Sequence, residues 1–230
     1  MNRYTMCVAV AALALFGCYR VQAAPIDVTA GAPGVLTPDL ASATVLTFDD
    51  LPIGILPFYA FDGGTLSGSG AILDVWLPQS APPAGDTTKY LAVSYPDEVG
   101  SVQLSLSTAE NYFGLYWGSM DSWNSIAFLS NHAQIAAFSG TETADLAGLA
   151  ASGDQQSFTS SRYINFYLGA TFYDEVILST ATFNFEVDNV AFGDPPPEIP
   201  EPSPLILRGF ALGGAVVLSR RRAAASPACL

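Results

Sequence analysis

Val102, Leu104 and Leu106 alternate with Ser101, Gln103, Ser105 and Ser107, so apolar side chains fall on one face of an extended segment and polar ones on the other. That period of two predicts a half-buried antiparallel strand. It recurs in Ile164, Phe166 and Leu168, in Phe113, Leu115 and Trp117, and in Phe183, Phe185 and Val187 opposite Asn184, Glu186 and Asp188. Clusters of Gly, Pro, Asn, Asp and Ser separate these runs at intervals of roughly 8 to 12 residues, the rhythm of an all-β domain. The predicted strands are 44–48, 71–77, 90–94, 101–107, 112–118, 125–130, 134–139, 162–168, 175–179 and 183–192. Only 143–151, rich in Ala and Leu, offers a helical turn or a loop instead. Many short strands without crossover helices predict a jelly-roll-like antiparallel β-sandwich rather than a parallel α/β fold, and no internal repeat suggests a solenoid or propeller.

The two ends read differently. Arg3, an apolar run from Met6 to Cys18 and the small-residue site Val21-Gln22-Ala23 form the three parts of a secretory signal peptide, residues 1–23, with cleavage expected after Ala23. An alternative takes Leu15-Phe16-Gly17-Cys18 as a lipoprotein signal, although Phe16 stands where a small residue is usual. The folded domain is expected over 24–193, followed by a Pro-rich spacer, 194–198, whose consecutive prolines fix φ and remove backbone donors. Beyond it come Pro200-Glu201-Pro202, an apolar stretch from Leu205 to Leu218, and Arg220-Arg221-Arg222.

This order over 199–222 resembles the PEP-CTERM sorting signal, a Pro-Glu-Pro motif followed by a hydrophobic sorting helix and an arginine cluster. The resemblance implies export, transient insertion in the inner membrane and processing by an exosortase that reads the Pro200-Glu201-Pro202 region. Arg220, Arg221 and Arg222 would stay cytoplasmic by the positive-inside rule, leaving the domain outside. The apolar stretch has 14 residues and is interrupted by Arg208. As a helix it is about 21 Å long against a hydrocarbon core of roughly 30 Å, which suits a temporary anchor. The tail 223–230 has no assigned role. Residues 111–119 and 185–192, with Thr47-Phe48-Asp49, resemble recurrent segments of exosortase-dependent surface proteins, which implies an extracellular β-sandwich on the cell surface or in the matrix.

Charge narrows the partners. The whole chain carries a formal −13, and between Ala24 and Pro197 there are two cations, Lys89 and Arg162, against 19 carboxylates, a formal −17. Such a surface lacks the Lys and Arg needed to displace counterions from phosphate backbones, so nucleic acid is excluded as a partner. Cys7 and Cys18 leave with the signal peptide and Cys229 lies near the far end, so the domain has no disulfide, thiolate zinc site or cysteine nucleophile.

Candidate chemistry is sparse. His132 is the only histidine, it follows Asn131 in an expected turn, and no Gly-x-Ser-x-Gly elbow accompanies it, so a serine hydrolase is not indicated. Glu110, Glu142, Glu175 and Glu186 supply carboxylates of the kind glycosidases pair, without a motif. A non-catalytic protein is expected. Trp117, Asp121, Trp123 and Asn124 combine rings that stack on sugar faces with groups that pair with hydroxyls, which makes a carbohydrate-binding module for an exopolysaccharide the alternative. Trp117 also shares its face with Phe113 and Leu115, as a core residue would. Asp49, Asp50, Asp188 and Asn189 are oxygen ligands for a structural calcium if the first and last predicted strands are neighbours, with Asp49 and Asp188 at its centre. Asp62-Gly63-Gly64 reads as a turn.

Overall fold

The structure, a computed structural model, describes residues 25–56 and 58–195. The signal peptide 1–23, the sorting segment 199–222 with its hydrophobic helix, the tail 223–230 and most of the spacer 194–198 lie outside the described residues. In chain order the elements are β1 (Asp27–Ala30), β2 (Thr44–Leu46), β3 (Gly54–Ile55), β4 (Tyr59–Phe61), β5 (Gly64–Gly68), β6 (Gly70–Leu73), β7 (Tyr90–Val93), β8 (Gly100–Glu110), β9 (Tyr112–Trp117), β10 (Asn124–Ser130), β11 (Ala133–Ser139), α1 (Gly140–Ala147), β12 (Arg162–Tyr167), β13 (Tyr173–Thr180) and β14 (Phe185–Gly193).

They form an all-β sandwich of two antiparallel sheets. Sheet A runs β1-β12-β9-β14-β7-β6-β3, with β2 also on β14, and sheet B runs β11-β10-β13-β8-β5-β4. The alternation read from sequence fixes what lies between them: Val102 and Leu104 of β8, Phe128 of β10 and Val176 of β13 meet Phe113, Phe166 and Phe185 of sheet A in one core. Phe128 sits 5.6 Å from Phe113 and 5.3 Å from Phe166 between ring centroids, one contact edge-on and the other tilted. Each such buried ring contributes about 1.5–3 kcal/mol in transfer free energy, so this layer carries the fold.

Sheet A departs from the simple inside-outside pattern. β9 is buried on both faces, because the segment around Leu36, Leu40 and Ala43 covers Tyr112, Tyr116 and Tyr163 on its outer side. The hydroxyls make that burial tolerable. Tyr112 donates to Asn165 Oδ1 at 2.6 Å, Tyr116 to the Ala84 carbonyl at 2.5 Å and Tyr163 to the Asn189 carbonyl at 2.8 Å. Glu186 and Asp188, expected on a polar face, are 1% exposed because the segment 80–88 lies against them, Ser80 and Ala81 at Glu186 and Asp86 and Thr88 at Asp188. Phe183 precedes β14 at φ +59° and is 45% exposed rather than part of the strand.

The helix begins earlier than expected. Ser139 caps α1, and Glu142 reaches back to the Ser139 N–H at 2.8 Å while Ser139 Oγ accepts from the Glu142 N–H at 3.2 Å. This reciprocal pair satisfies two donors at the helix start. Asn131 and His132, at φ +50° and +65°, close the β10–β11 hairpin as a two-residue turn whose twist matches its strands. Among the described residues no helix is long and apolar enough to cross a membrane.

Candidate functional site

Beyond Trp117, the chain leaves sheet A and crosses to β10 through residues 118–123. Backbone bonds hold this connection in place: Gly118 N–H donates to the Glu186 carbonyl at 2.9 Å, Met120 N–H to the Ser160 carbonyl at 2.7 Å, and Gly153 N–H to the Met120 carbonyl at 3.0 Å. The result is one wall of an open cavity of about 250 Å³. Trp123 and Phe183 supply its rings, and Asp121, Asn184, Gln79 and Gln155 its polar groups. The two rings lie 6.0 Å apart at 59°.

Asp121 is placed by two glycines. A Cβ at Gly140 would lie 2.0 Å from the Asp121 carbonyl oxygen, and one at Gly153, whose φ is +65°, would lie 2.2 Å from Asp121 Oδ1. Only glycine fits either position without movement. Burial alone pushes the Asp121 carboxyl up to about 6, because no neighbouring cation or donor favours its charged form. Glu186 lies deeper in the same cavity. Burial raises it to about 8, against hydrogen bonds from the Ser119 and Ser80 hydroxyls and the Ala81 N–H, and Ser119 Oγ donates to its Oε2 at 2.8 Å. It is therefore a neutral acid near pH 7, locked among hydroxyls. Donors on the Trp123 indole and the Asn184 amide, two residues of the cavity lining, are buried without a protein acceptor.

A second cavity of about 230 Å³ adjoins the first, with Gln155 in both walls. Trp76, half exposed, Pro82, Pro83 and Asp86 line it with Gln156.

The residues singled out from sequence separate accordingly. Asp121 and Trp123 meet in the cavity. Trp117 does not: it is wholly buried with its ring 4.5 Å from that of Phe185, so it presents no surface for stacking. Asn124 is fully buried at the start of β10. The first and last predicted strands are indeed neighbours, Leu46 opposite Val190, yet no hydrogen bond links Asp49 to Asp188. Asp49 Oδ1 accepts the Lys89 N–H at 3.1 Å, and Lys89 Nζ donates to the Asp49 and Leu51 carbonyls at 2.5 and 2.8 Å. The like-charge neighbour of Asp188 is Asp86, and Thr88 Oγ1 bridges them at 2.6 Å to Asp86 and 3.1 Å to Asp188. Burial, then the Asp86 carboxyl, raises Asp188 well above the usual range, which lets a shared proton relieve the repulsion. Among the described residues no group of three or more His, Cys, Asp or Glu side chains is arranged to hold a metal.

His132 is in its turn, with Nδ1 2.5 Å from Glu175 Oε1. Glu142 belongs to the helix cap, and Glu110 is raised by burial and by the Asp194 carboxylate beside it. Sequence reasoning missed Phe183, Asn184, Gln79 and Gln155 as partners of Trp123. The available signal was the Pro78, Pro82 and Pro83 loop, whose small residues Ser80, Ala81 and Ala84 can lie flat on a sheet. No protein-family model matches this chain, and no curated protein matches it either.

Proposed function

We propose that this chain is an exported, non-catalytic protein of the cell surface or extracellular matrix whose sandwich binds an exopolysaccharide in the cavity beside Trp123. The observation that carries the reading is the Trp123–Phe183 ring pair set against Asp121, Asn184, Gln79 and Gln155. Rings offer flat apolar surface to the C–H face of a sugar, and the amides and carboxylate offer partners for its hydroxyls. A jelly-roll-like topology is supported by the pairing of the early strand β2 with the last strand, β14, and by the exchange of consecutive strands β8, β9 and β10 between sheets. Sorting by an exosortase through Pro200-Glu201-Pro202, with Arg220, Arg221 and Arg222 as the cytoplasmic stop, rests on the sequence order alone.

Retention of the full chain on neutral polysaccharide gels tests the binding half. Retention should vanish in Trp123→Ala with Tm nearly unchanged, and retention that survives this change removes the cavity as the site. Intact mass of material from the cell surface tests the sorting half. A chain still carrying residues 205–230 overturns exosortase processing.

A further inference from the structure

The two adjoining cavities share Gln155, and each has one tryptophan in its wall, Trp123 in the first and Trp76 in the second. At about 250 and 230 Å³, each falls below the roughly 300 Å³ at which ligand sites begin, whereas together they fall within the range. Two small ring-lined hollows joined at a shared amide suit a ligand that repeats along its length.

Charge selects the kind of repeat. Asp121 lines the first cavity and Asp86 the second, while Glu186, a neutral acid near pH 7, adds no charge there. The two cations of the domain are turned elsewhere: Lys89 donates to the Asp49 and Leu51 carbonyls, and Arg162 Nε and Nη1 donate to the Phe158 and Gly31 carbonyls at 2.5 and 2.8 Å. Neither lines a cavity. A uronate, sulfate or phosphate on the ligand would meet carboxylates and no compensating cation, an arrangement that rejects anions. Hydroxyls find Gln79, Gln155 and Gln156 as both donors and acceptors.

We infer that the two cavities are neighbouring subsites of one groove that takes an uncharged polysaccharide chain, with one sugar against Trp123 and Phe183, a later sugar against Trp76, and Gln155 contacting both. This deepens the proposed polysaccharide reading and rests on it. The groove should then bind longer chains more tightly and anionic chains not at all, because a second platform adds to the first only when one molecule spans both.

The test is calorimetric titration of the full chain with laminarin, xyloglucan and dextran oligosaccharides of two to six units, alongside polygalacturonate and a chitosan oligomer. Affinity for one neutral series should rise at least about tenfold from the dimer to the hexamer, and Trp76→Ala should remove about that gain while leaving dimer affinity unchanged. Trp76 is half exposed, so this variant keeps its Tm and its loss is read as a loss of contact. Equal affinity for all lengths, or an unchanged hexamer affinity in Trp76→Ala, overturns the second subsite while leaving the Trp123 site standing. Binding of polygalacturonate, or of chitosan alone, overturns the uncharged class. Binding of no glycan removes the polysaccharide reading itself.

Discussion

Trp117 and Trp123 stand a few residues apart and belong to different physical regimes. Trp117 closes β9, a strand buried on both faces, and its ring lies against Phe185 in the layer between the sheets. Trp123 ends the connection that leaves that strand, half-buried, with the exposed Phe183 as its neighbour. The carboxylates divide in the same way. Glu186 beneath the cavity is held by hydroxyls, whereas Asp121 at its wall owes its raised pKa to burial alone. A strand of this sandwich places its side chains by packing; the connection places them by close backbone approach, which leaves the side chains themselves uncommitted.

The largest effect that tests this division is on stability. Trp117→Ala should lower the unfolding free energy by about 3–5 kcal/mol, as for large core rings elsewhere, measured by denaturant midpoint. A loss below about 1 kcal/mol would show that β9 is not the packed region described.

Next comes pH. Glu186 is raised to about 8 when folded from an ordinary 4.5, so between those values the folded chain holds a proton that the unfolded chain releases. Stability from this group is full near pH 4 and falls as pH rises to about 8. Asp121, Glu110 and Asp188 are shifted upward too and act in the same direction. Tm should therefore fall by several degrees from pH 5 to pH 8, and Glu186→Gln should flatten the slope. A variant with the parent slope would show that Glu186 is ionised in the fold.

Gly153→Ala sharpens the account of the connection. Its positive φ costs about 1–2 kcal/mol for a residue with a Cβ, and that Cβ would displace the Asp121 carboxylate. A moderate fall in Tm should accompany a loss of glycan retention. Unchanged retention would mean that Asp121 is not positioned for the ligand. Smallest in stability is Trp123→Ala, at about 1 kcal/mol or less, read by thermal melting, with a loss equal to that of Trp117→Ala returning the ring to the core.

The strands whose faces were legible in the sequence are those with one buried face. β8 and β10 alternate because water lies on one side of them. β9 and β14 read as alternating too, yet Tyr112, Tyr116, Glu186 and Asp188 lie under covering loops, and no local pattern shows that a distant loop will fold over a polar face. β1, β3, β4 and β5, of 4, 2, 3 and 5 residues, were missed, because Pro, Gly and Asp interrupt the few apolar positions in and around them. The capping pair Ser139 and Glu142 has the spacing of a helix start, a signal the sequence reading missed. Of the cavity, Asp121 and Trp123 were legible because a turn between strands concentrates polar and aromatic groups, while Phe183, Asn184, Gln79 and Gln155 arrive from separate loops that only the register of the sheets brings together.

The last strand, β14, sits inside sheet A, with β9 along one edge and β7 and β2 along the other. The first strand, β1, is at the sheet's rim and pairs with β12 alone. A pull delivered through the carboxyl side of the domain must slide β14 past three neighbours at once, loading many ladder bonds in parallel, while a pull on β1 peels one pairing at a time. Resistance to force is set by the rate of unfolding rather than by its equilibrium, so a body tethered through its C-terminal side would meet shear across three strand pairings.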